Sequence, residues 1–182
     1  YLYGSPHMNR PLPQFTYLSA DFTRDVFIHQ PATCQCCGKD TDRHYNGTIY
    51  RVGDSDITLC PWCIHDGSAA AKYACSFNDL YDEALDDEIA AEVCERTPGY
   101  SSWQDQSWLT HCNDACVYHG DASAKDVAEA SAETRQKWIS DYDMDEESWS
   151  QFMADYAPGG DQGVYKFVCR HCELVMFNWD FS

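Results

Sequence analysis

Four closely spaced cysteine pairs are the residues of this sequence best suited to chemistry. The pairs are Cys34 with Cys37, Cys60 with Cys63, Cys112 with Cys116, and Cys169 with Cys172. Two thiolates on one tight turn are good zinc ligands, and two such turns complete a tetrahedral site. A glycine after the second cysteine lets the backbone curl toward the metal, and Gly38 follows Cys37. The pattern predicts two structural zinc ions, each held by four thiolates.

The spacing between the pairs assigns them to two sites. The first two pairs are separated by 22 residues, which is typical of a zinc ribbon, so they form the first predicted site. The last two pairs are separated by 52 residues and form the second. Its Cys-x-x-x-Cys spacing is less usual than Cys-x-x-Cys. His111 or His171 therefore stays open as a replacement ligand in the second site.

Three of the eleven cysteines lie outside the pairs, namely Cys36, Cys75 and Cys94. Free cysteines are mostly small buried hydrophobic residues, which is the interpretation of Cys75 and Cys94. Cys36 can replace Cys34 as a ligand only with poorer loop geometry. The odd number of cysteines and their spacing argue against a disulfide framework, and they favour a reducing, cytoplasmic compartment.

A different chemistry for these cysteines is kept as the alternative. Cys60-Pro61-Trp62-Cys63 lies between a predicted strand and a predicted helix, which is the layout of a glutaredoxin-like redox site. A thiol enzyme using Cys60 and Cys63, or a zinc enzyme with an open second site, is the alternative function. A zinc deaminase needs a His-x-Glu motif followed later by Pro-Cys-x-x-Cys. Here His171-Cys172-Glu173 lies at the C-terminal end of the cysteine pattern, and its middle residue is itself a predicted ligand. A zinc deaminase is therefore rejected.

The charge of the chain limits its partners. Twelve basic residues face 30 acidic ones, giving a net charge of −18. Such a chain is not expected to bind nucleic acid or an anionic membrane directly, but it can bind a basic protein. Solubility alone is an equally good explanation of the bulk of this charge. Seven acids lie between Asp79 and Glu92 on a predicted helix. Four of them form the tentative partner-binding face: Asp82, Glu83, Asp86 and Asp87.

The elements that must position these residues indicate an α+β fold. Residues 9–182 are predicted to form one domain, and residues 1–8 read as a cloning remnant ending at Met8. The domain carries short β-hairpins and about three to four helices. The predicted helices cover residues 67–73, 78–95, 123–142 and 143–157, and the predicted strands cover 48–52, 57–59, 164–168 and 174–179. The last two strands form a hairpin with Cys169 and Cys172 in its turn.

The motifs together resemble the CbrC-like bacterial family. The resemblance rests on Cys34-Gln35-Cys36-Cys37-Gly38-Lys39, Leu59-Cys60-Pro61-Trp62-Cys63-Ile64, Arg96-Thr97-Pro98-Gly99-Tyr100, His111-Cys112-Asn113-Asp114-Ala115-Cys116 and Cys169-Arg170-His171-Cys172. It implies a non-enzymatic immunity-type protein, since the family name is associated with tolerance to a bacterial nuclease toxin. The expected partner is then a basic toxin of the nuclease class.

Metal binding does not explain the segment from Arg96 to Gln104. One interpretation is a rigid turn that packs Tyr100 and Trp103 against the core. The other is a polar pocket lined by Ser101, Ser102 and Gln104 beside the second metal site. The sequence leaves both open.

Overall fold

The structure, a computed structural model, describes residues 7–54, 56–104, 107–154 and 156–182. Of the predicted cloning remnant, only His7 and Met8 are described, and residues 1–6 lie outside the described part. His7 is buried, and its ring stacks on Trp62 with the ring centroids 4.8 Å apart. This histidine therefore packs against the same tryptophan that lies between Cys60 and Cys63.

The fold is mixed α+β, as predicted, but it has more helices than the three to four expected. The described residues form seven helices: α1 Ala20–Asp25, α2 Pro61–His65, α3 Ser68–Tyr73, α4 Asp87–Arg96, α5 Ala124–Ala128, α6 Ala132–Asp141 and α7 Glu146–Ala154. The strands are β1 Phe27–Ile28, β2 Ala32–Thr33, β3 Asp40–Thr41, β4 His44–Tyr45, β5 Thr110–His111, β6 Asp114–Ala115, β7 Val117–Asp121, β8 Gln162–Val168 and β9 Val175–Phe181. Within these ranges no helix is both long and apolar enough to cross a bilayer.

The largest sheet is antiparallel, with strand order β7-β8-β9. Because side chains alternate along a strand, its two faces bury different residues. Tyr165 and Phe167 join a large core shared with the N-terminal half of the chain. Val164 and Trp179, which pair across β8 and β9, join a second core under α5, α6 and α7. The sheet thus separates the core that contains cysteines of both predicted metal sites from a helical layer.

The remaining strands form three antiparallel pairs of two residues each: β1 with β4, β2 with β3, and β5 with β6. An isolated two-stranded hairpin is at best marginally stable in water. These pairs therefore depend on what surrounds them. Two of them, β2–β3 and β5–β6, carry predicted metal ligands in or beside their turns.

The predicted helix over residues 78–95 is wrong in its first half, because α4 begins only at Asp87. The backbone carbonyl of Asp79 accepts a hydrogen bond from the Trp108 N–H at 2.8 Å, and Asp82 accepts one from the Ala84 N–H. Asp86 then caps α4 by accepting the Glu88 N–H at 2.8 Å. Aspartates compete in this way with helical hydrogen bonds, so the acidic run forms capped turns before the helix.

Two further predictions differ from the structure because other hydrogen bonds replace those of the predicted helix or strand. The predicted helix over 123–142 is broken into α5 and α6, because Ser131 caps a new helix by accepting the Thr134 N–H. The predicted strands over 48–52 and 57–59 do not form among the described residues. Instead, the carbonyls of Thr58 and Leu59 accept hydrogen bonds from Gln35 and Tyr45, which tie this segment to the first cysteine turn.

Asn78 provides a test of how the acidic segment joins α4. Its amide nitrogen donates to the carbonyl oxygens of Val93 and Thr97 at 2.9 and 2.8 Å, and the side chain is buried. Asn78→Ala leaves two buried carbonyls without this donor, so we expect a loss of about 1–3 kcal/mol in the free energy of unfolding. Chemical denaturation measures it. Asn46→Ala, at an exposed asparagine, is the matched control and should change stability by less than about 0.5 kcal/mol.

Candidate metal centres

The first cysteine cluster joins the β2–β3 turn to the start of α2. Cys34 and Cys37 flank a tight turn in which the Gly38 N–H donates to the Cys34 carbonyl at 2.7 Å. Gly38 has φ +70°, a left-handed conformation that favours glycine, as the sequence predicts. Cys60 is the N-cap of α2, and Pro61 supplies the fixed φ that starts a helix. Cys63 follows within the first turn.

The four ligand atoms of this cluster lie within 4.8 Å of one another. The sulfurs of Cys34 and Cys63 are 3.9 Å apart, and the Cys60 N–H points at the Cys34 sulfur at 3.3 Å. Cys34, Cys60 and Cys63 are buried, whereas Cys37 is the most accessible member. The structure therefore brings together the four residues predicted for the first site, in an arrangement that can hold a metal ion.

Three thiols of the first cluster form hydrogen bonds with one another, and these bonds shift their pKa values. Hydrogen bonds from Cys60 and Cys63 lower the pKa of Cys34, while the hydrogen bond with Cys34 raises the pKa of Cys60 to about 12. The same contact raises the pKa of Cys63. One thiolate is thus stabilised by two neighbouring thiols. A cation among these sulfurs would stabilise all of them as thiolates, which is the form that binds metal.

The second cluster lies where two hairpin tips meet. The β5–β6 hairpin turns at Cys112 and Asn113, with φ values of 53° and 57°, as a two-residue turn of this kind requires. The β8–β9 hairpin carries Cys169 and Cys172 in its turn, which closes through a 2.9 Å hydrogen bond from the Cys169 N–H to the Leu174 carbonyl. The sulfurs of Cys112 and Cys172 are 3.8 Å apart.

The fourth member of the second cluster is His111. Its Nδ1 lies 3.2 Å from the Cys112 sulfur and 3.3 Å from the Cys172 sulfur. The ligand atoms of His111, Cys112, Cys169 and Cys172 all lie within 4.8 Å of one another. Backbone N–H groups of Cys172 and His171 lower the pKa of Cys169 to about 6, although burial opposes them. This arrangement can also hold a metal ion.

Cys116 is the predicted ligand that the structure does not group with the others. The tight turn at Cys112 and Asn113 sends the chain straight back, so Cys116 lies beyond β6 and is fully buried in the main core. Its carbonyl accepts the Trp108 indole N–H at 2.8 Å, and burial raises the pKa of its thiol to about 12. The sequence offered His111, directly before Cys112, as the alternative fourth member.

Asp114 joins the two hairpins of the second cluster, a role that the sequence analysis missed. This buried carboxylate accepts hydrogen bonds from the Tyr17 hydroxyl at 2.9 Å, from Arg170 at 3.0 Å and from His171 at 2.9 Å. Burial raises its pKa, but the hydrogen bonds and the nearby arginine prevail and lower it. His171, the other candidate replacement ligand, is thereby engaged with Asp114. Carboxylates that orient the elements around a metal site are common partners of such sites.

The three cysteines outside the predicted pairs stay outside both clusters. Cys75 is buried, as predicted, whereas Cys94 is half-buried. Burial raises the pKa of Cys75 and raises that of Cys94 to about 11. The Cys36 sulfur lies 3.6 Å from the Ser68 hydroxyl. None of the three has its sulfur in either group of four.

The segment from Arg96 to Gln104 is fixed by Asp180, whose carboxylate accepts the N–H groups of Trp103 and Gln104 at 2.9 and 3.1 Å. Tyr100 is buried, as the rigid-turn interpretation predicts, but Trp103 is 58% exposed. The four acids of the tentative partner-binding face are all exposed. Asp82 and Asp86 also hold local turns, and Asp82 accepts the Thr110 hydroxyl at 2.8 Å.

Comparison with known proteins gives the same family for the family model and for three relatives. The model of a family described as "Uncharacterised protein family (UPF0167)" matches residues 12–181. A UPF0167 protein of Pseudomonas aeruginosa is 40% identical over 179 residues, covering 96% of this chain and 100% of the relative. UPF0167 proteins of Mycobacterium bovis and Mycobacterium tuberculosis are each 29% identical over 176 residues, covering 94% of both chains. No solved structure gives a significant match.

The ligand set of the second cluster can be decided by substitution. We expect His111→Ala to lose about one metal ion per chain, because it removes one of four ligands. Cys116→Ala should keep the metal content of the unchanged protein, since its sulfur is outside the group. Elemental analysis of the folded, purified variants measures both.

Cys75→Ala is the control for removing a buried cysteine, and it should keep all bound metal. The opposite pattern, in which Cys116→Ala loses a metal ion and His111→Ala does not, would restore the ligand set predicted from sequence. Circular dichroism of each variant separates metal loss from unfolding.

Proposed function

This chain belongs to the bacterial UPF0167 family, and we propose that it is an immunity-type protein that binds and neutralises a basic toxin of the nuclease class. In this proposal two zinc ions are purely structural, an acidic surface makes the contact, and the protein catalyses no reaction. Neither nucleic acid nor a membrane is a direct partner. The toxin class comes from the CbrC-like resemblance, which is narrower than the family match and stays a prediction.

The observation that carries the binding role is that both clusters offer four protein ligands. Structural zinc sites are closed by four ligands, whereas catalytic sites keep one position open for water or substrate. The first cluster is also poorly accessible, because Cys60 is fully buried and Cys63 is 4% exposed. A redox enzyme would need access to Cys60 or Cys63, so the alternative of a thiol enzyme is less well supported. Cys112 and Cys172 of the second cluster are exposed, so the argument against a zinc enzyme rests on the four ligands alone.

The sulfur positions suit zinc. With zinc–sulfur bonds of about 2.3 Å, the edge of a regular tetrahedron is about 3.8 Å. The Cys34–Cys63 and Cys112–Cys172 sulfur distances are 3.9 and 3.8 Å. Four thiolates, or three thiolates and an imidazole, are also typical zinc ligand sets. We therefore infer zinc as the metal of both sites.

The acidic segment before α4 supports a basic partner. Asp82, Glu83, Asp86, Asp87 and Glu88 are all exposed within seven consecutive residues. Asp82 and Asp86 hold turns, so their carboxylates have a structural role. Glu83, Asp87 and Glu88 are the members whose charge can be reversed with the least damage. Complementary charge speeds association and selects partners more than it adds affinity.

Metal content and stability give one test of this proposal. Protein purified without chelator should contain about two zinc ions per chain, one for each cluster. Removing them should sharply lower the denaturant midpoint, because metal-binding energy in small sites is also folding energy. Elemental analysis and chemical denaturation measure the two quantities. Metal-free protein of unchanged stability, with Cys60 and Cys63 joined in a disulfide, would favour the redox alternative instead.

Charge reversal gives a test of the binding surface. Changing Glu83, Asp87 and Glu88 to lysine should slow association with a basic nuclease toxin roughly tenfold at low salt, with a smaller effect at high salt. Stopped-flow mixing with an inactivated nuclease toxin domain, sought among the genes that neighbour this one, measures the rates, and survival of toxin-expressing cells measures protection.

The matched control reverses three exposed acids elsewhere, Glu129, Glu133 and Asp161. The test set places two lysines in the first turn of α4 and the control set places one in the first turn of α6, so both sets carry a penalty from the helix dipole and that of the test set is larger. We expect the control to keep its association rate and protection. Equal slowing by both sets would show a general charge effect. Full protection by the first variant would place the contact on another surface.

A further inference from the structure

A cleft separate from both metal clusters lies between α1, the turn after β4 and strand β7. Its volume is about 550 Å³, and Tyr100 and Ser101 from the unexplained 96–104 segment contribute to its wall. The sequence analysis placed a polar pocket around this segment beside the second metal site. The structure puts Ser101 instead in a cleft with two acids of α1, Asp21 and Asp25.

The cleft is acidic and its charge is largely uncompensated. Three carboxylates line it, from Asp21, Asp25 and Asp121. Asp21 pairs with Arg24, but neither Asp25 nor Asp121 has an ion-pair partner among the described residues. Burial and the negative charge of Asp180 raise the pKa of Asp121. His119 does not supply a balancing charge at neutral pH, because burial and then Lys166 lower its pKa.

The side chain of Tyr118 also lines the cleft, and it is only 1% exposed. Within the described part of the chain its hydroxyl makes no hydrogen bond, and the oxygen is not among the fully buried atoms left unpaired. This hydroxyl is therefore accessible to a group bound in the cleft. The register of β7 against β8 shifts between Tyr118 and Asp121, around Gly120 with φ +95°. Bulges of this kind often re-aim side chains at binding sites.

The walls beside this hydroxyl are aromatic. The rings of Tyr100 and Tyr118 stack with centroids 4.4 Å apart, and Phe22 meets Tyr118 edge-on at 4.6 Å. Aromatic rings attract cations, and a planar guanidinium can both contact a ring and donate to several oxygens at once. A compact ammonium ion has neither the planar shape nor the five donors.

We propose that this cleft binds a guanidinium group, which donates to the Tyr118 hydroxyl and to the carboxylates of Asp25 and Asp121 while lying against the partly exposed Phe22 side chain. A chelated metal ion fits less well, since these carboxylates and His119 do not form a group of three whose ligand atoms converge within 4.8 Å. The group can belong to an arginine side chain of a protein or to a free small molecule. The site itself does not depend on the proposed function.

The test compares two small cations of equal charge, n-butylguanidinium and n-butylammonium, by NMR titration of the zinc-loaded protein. The guanidinium should bind at least about tenfold more tightly and should shift the amide signals of β7. Tyr118→Phe and Asp121→Asn should each weaken it about tenfold, the typical effect of losing a hydrogen bond to a charged group. Glu133→Gln removes one exposed charge outside the cleft and should leave affinity unchanged.

Equal binding of the two cations, or full affinity in both cleft variants, would overturn the proposal. If Tyr118→Phe fails to fold, Asp121→Asn alone decides the outcome, because Asp121 is at the cleft edge. A blocked Gly-Arg-Gly tripeptide that binds more tightly than n-butylguanidinium would identify an arginine side chain as the ligand, and weaker tripeptide binding would identify a small molecule. These probes need no toxin, so failure of the toxin test leaves this result intact.

Discussion

The convergence of ligand atoms from distant parts of the chain is the constraint on which the rest of this structure depends. Among the described residues, three of the four sheets are pairs of two-residue strands, which on their own are at best marginally stable in water. Two of these pairs bring ligands to a cluster. A metal ion at each cluster would provide the binding energy that these short hairpins lack, as in other small metal-binding folds. The Asp114 carboxylate then fastens the second pair of hairpin tips through side chains alone.

The cysteine turns could be predicted because their chemistry is local. The backbone conformation over a few residues follows from each of three features: a Cys-x-x-Cys turn, the glycine after Cys37 and the proline after Cys60. The structure has all of these features. The β8–β9 hairpin was likewise predictable from alternating apolar residues on both sides of its turn. The first strand begins two residues earlier than predicted, and the second begins one residue later and ends two residues later.

The features that escaped prediction depend on contacts between distant residues. Leu85, Ile89 and Val93 fit a helical pattern, but hydrogen bonding of the Asp79 carbonyl to Trp108 keeps the start of that segment extended. Cys116 has the right spacing for a ligand, yet the two-residue turn before it directs it into the core. Tyr17 is 97 residues from Asp114 in sequence, so their hydrogen bond cannot be predicted from a local sequence pattern.

The second metal cluster and the acidic cleft are parts of one continuous arrangement. Residues 17–19 lie against β7, with the Tyr118 N–H donating to Tyr17 and the Ser19 N–H donating to Tyr118. Tyr17 reaches Asp114 at the cluster, while the Ser19 side chain caps α1, which carries Asp21 and Asp25 into the cleft. A metal ion bound among the hairpin tips would therefore also hold the strand and the helix cap that shape the cleft. Metal binding at the second cluster would then be linked to the proposed cleft site through Tyr17, Ser19 and Tyr118, without contact between the ion and the ligand.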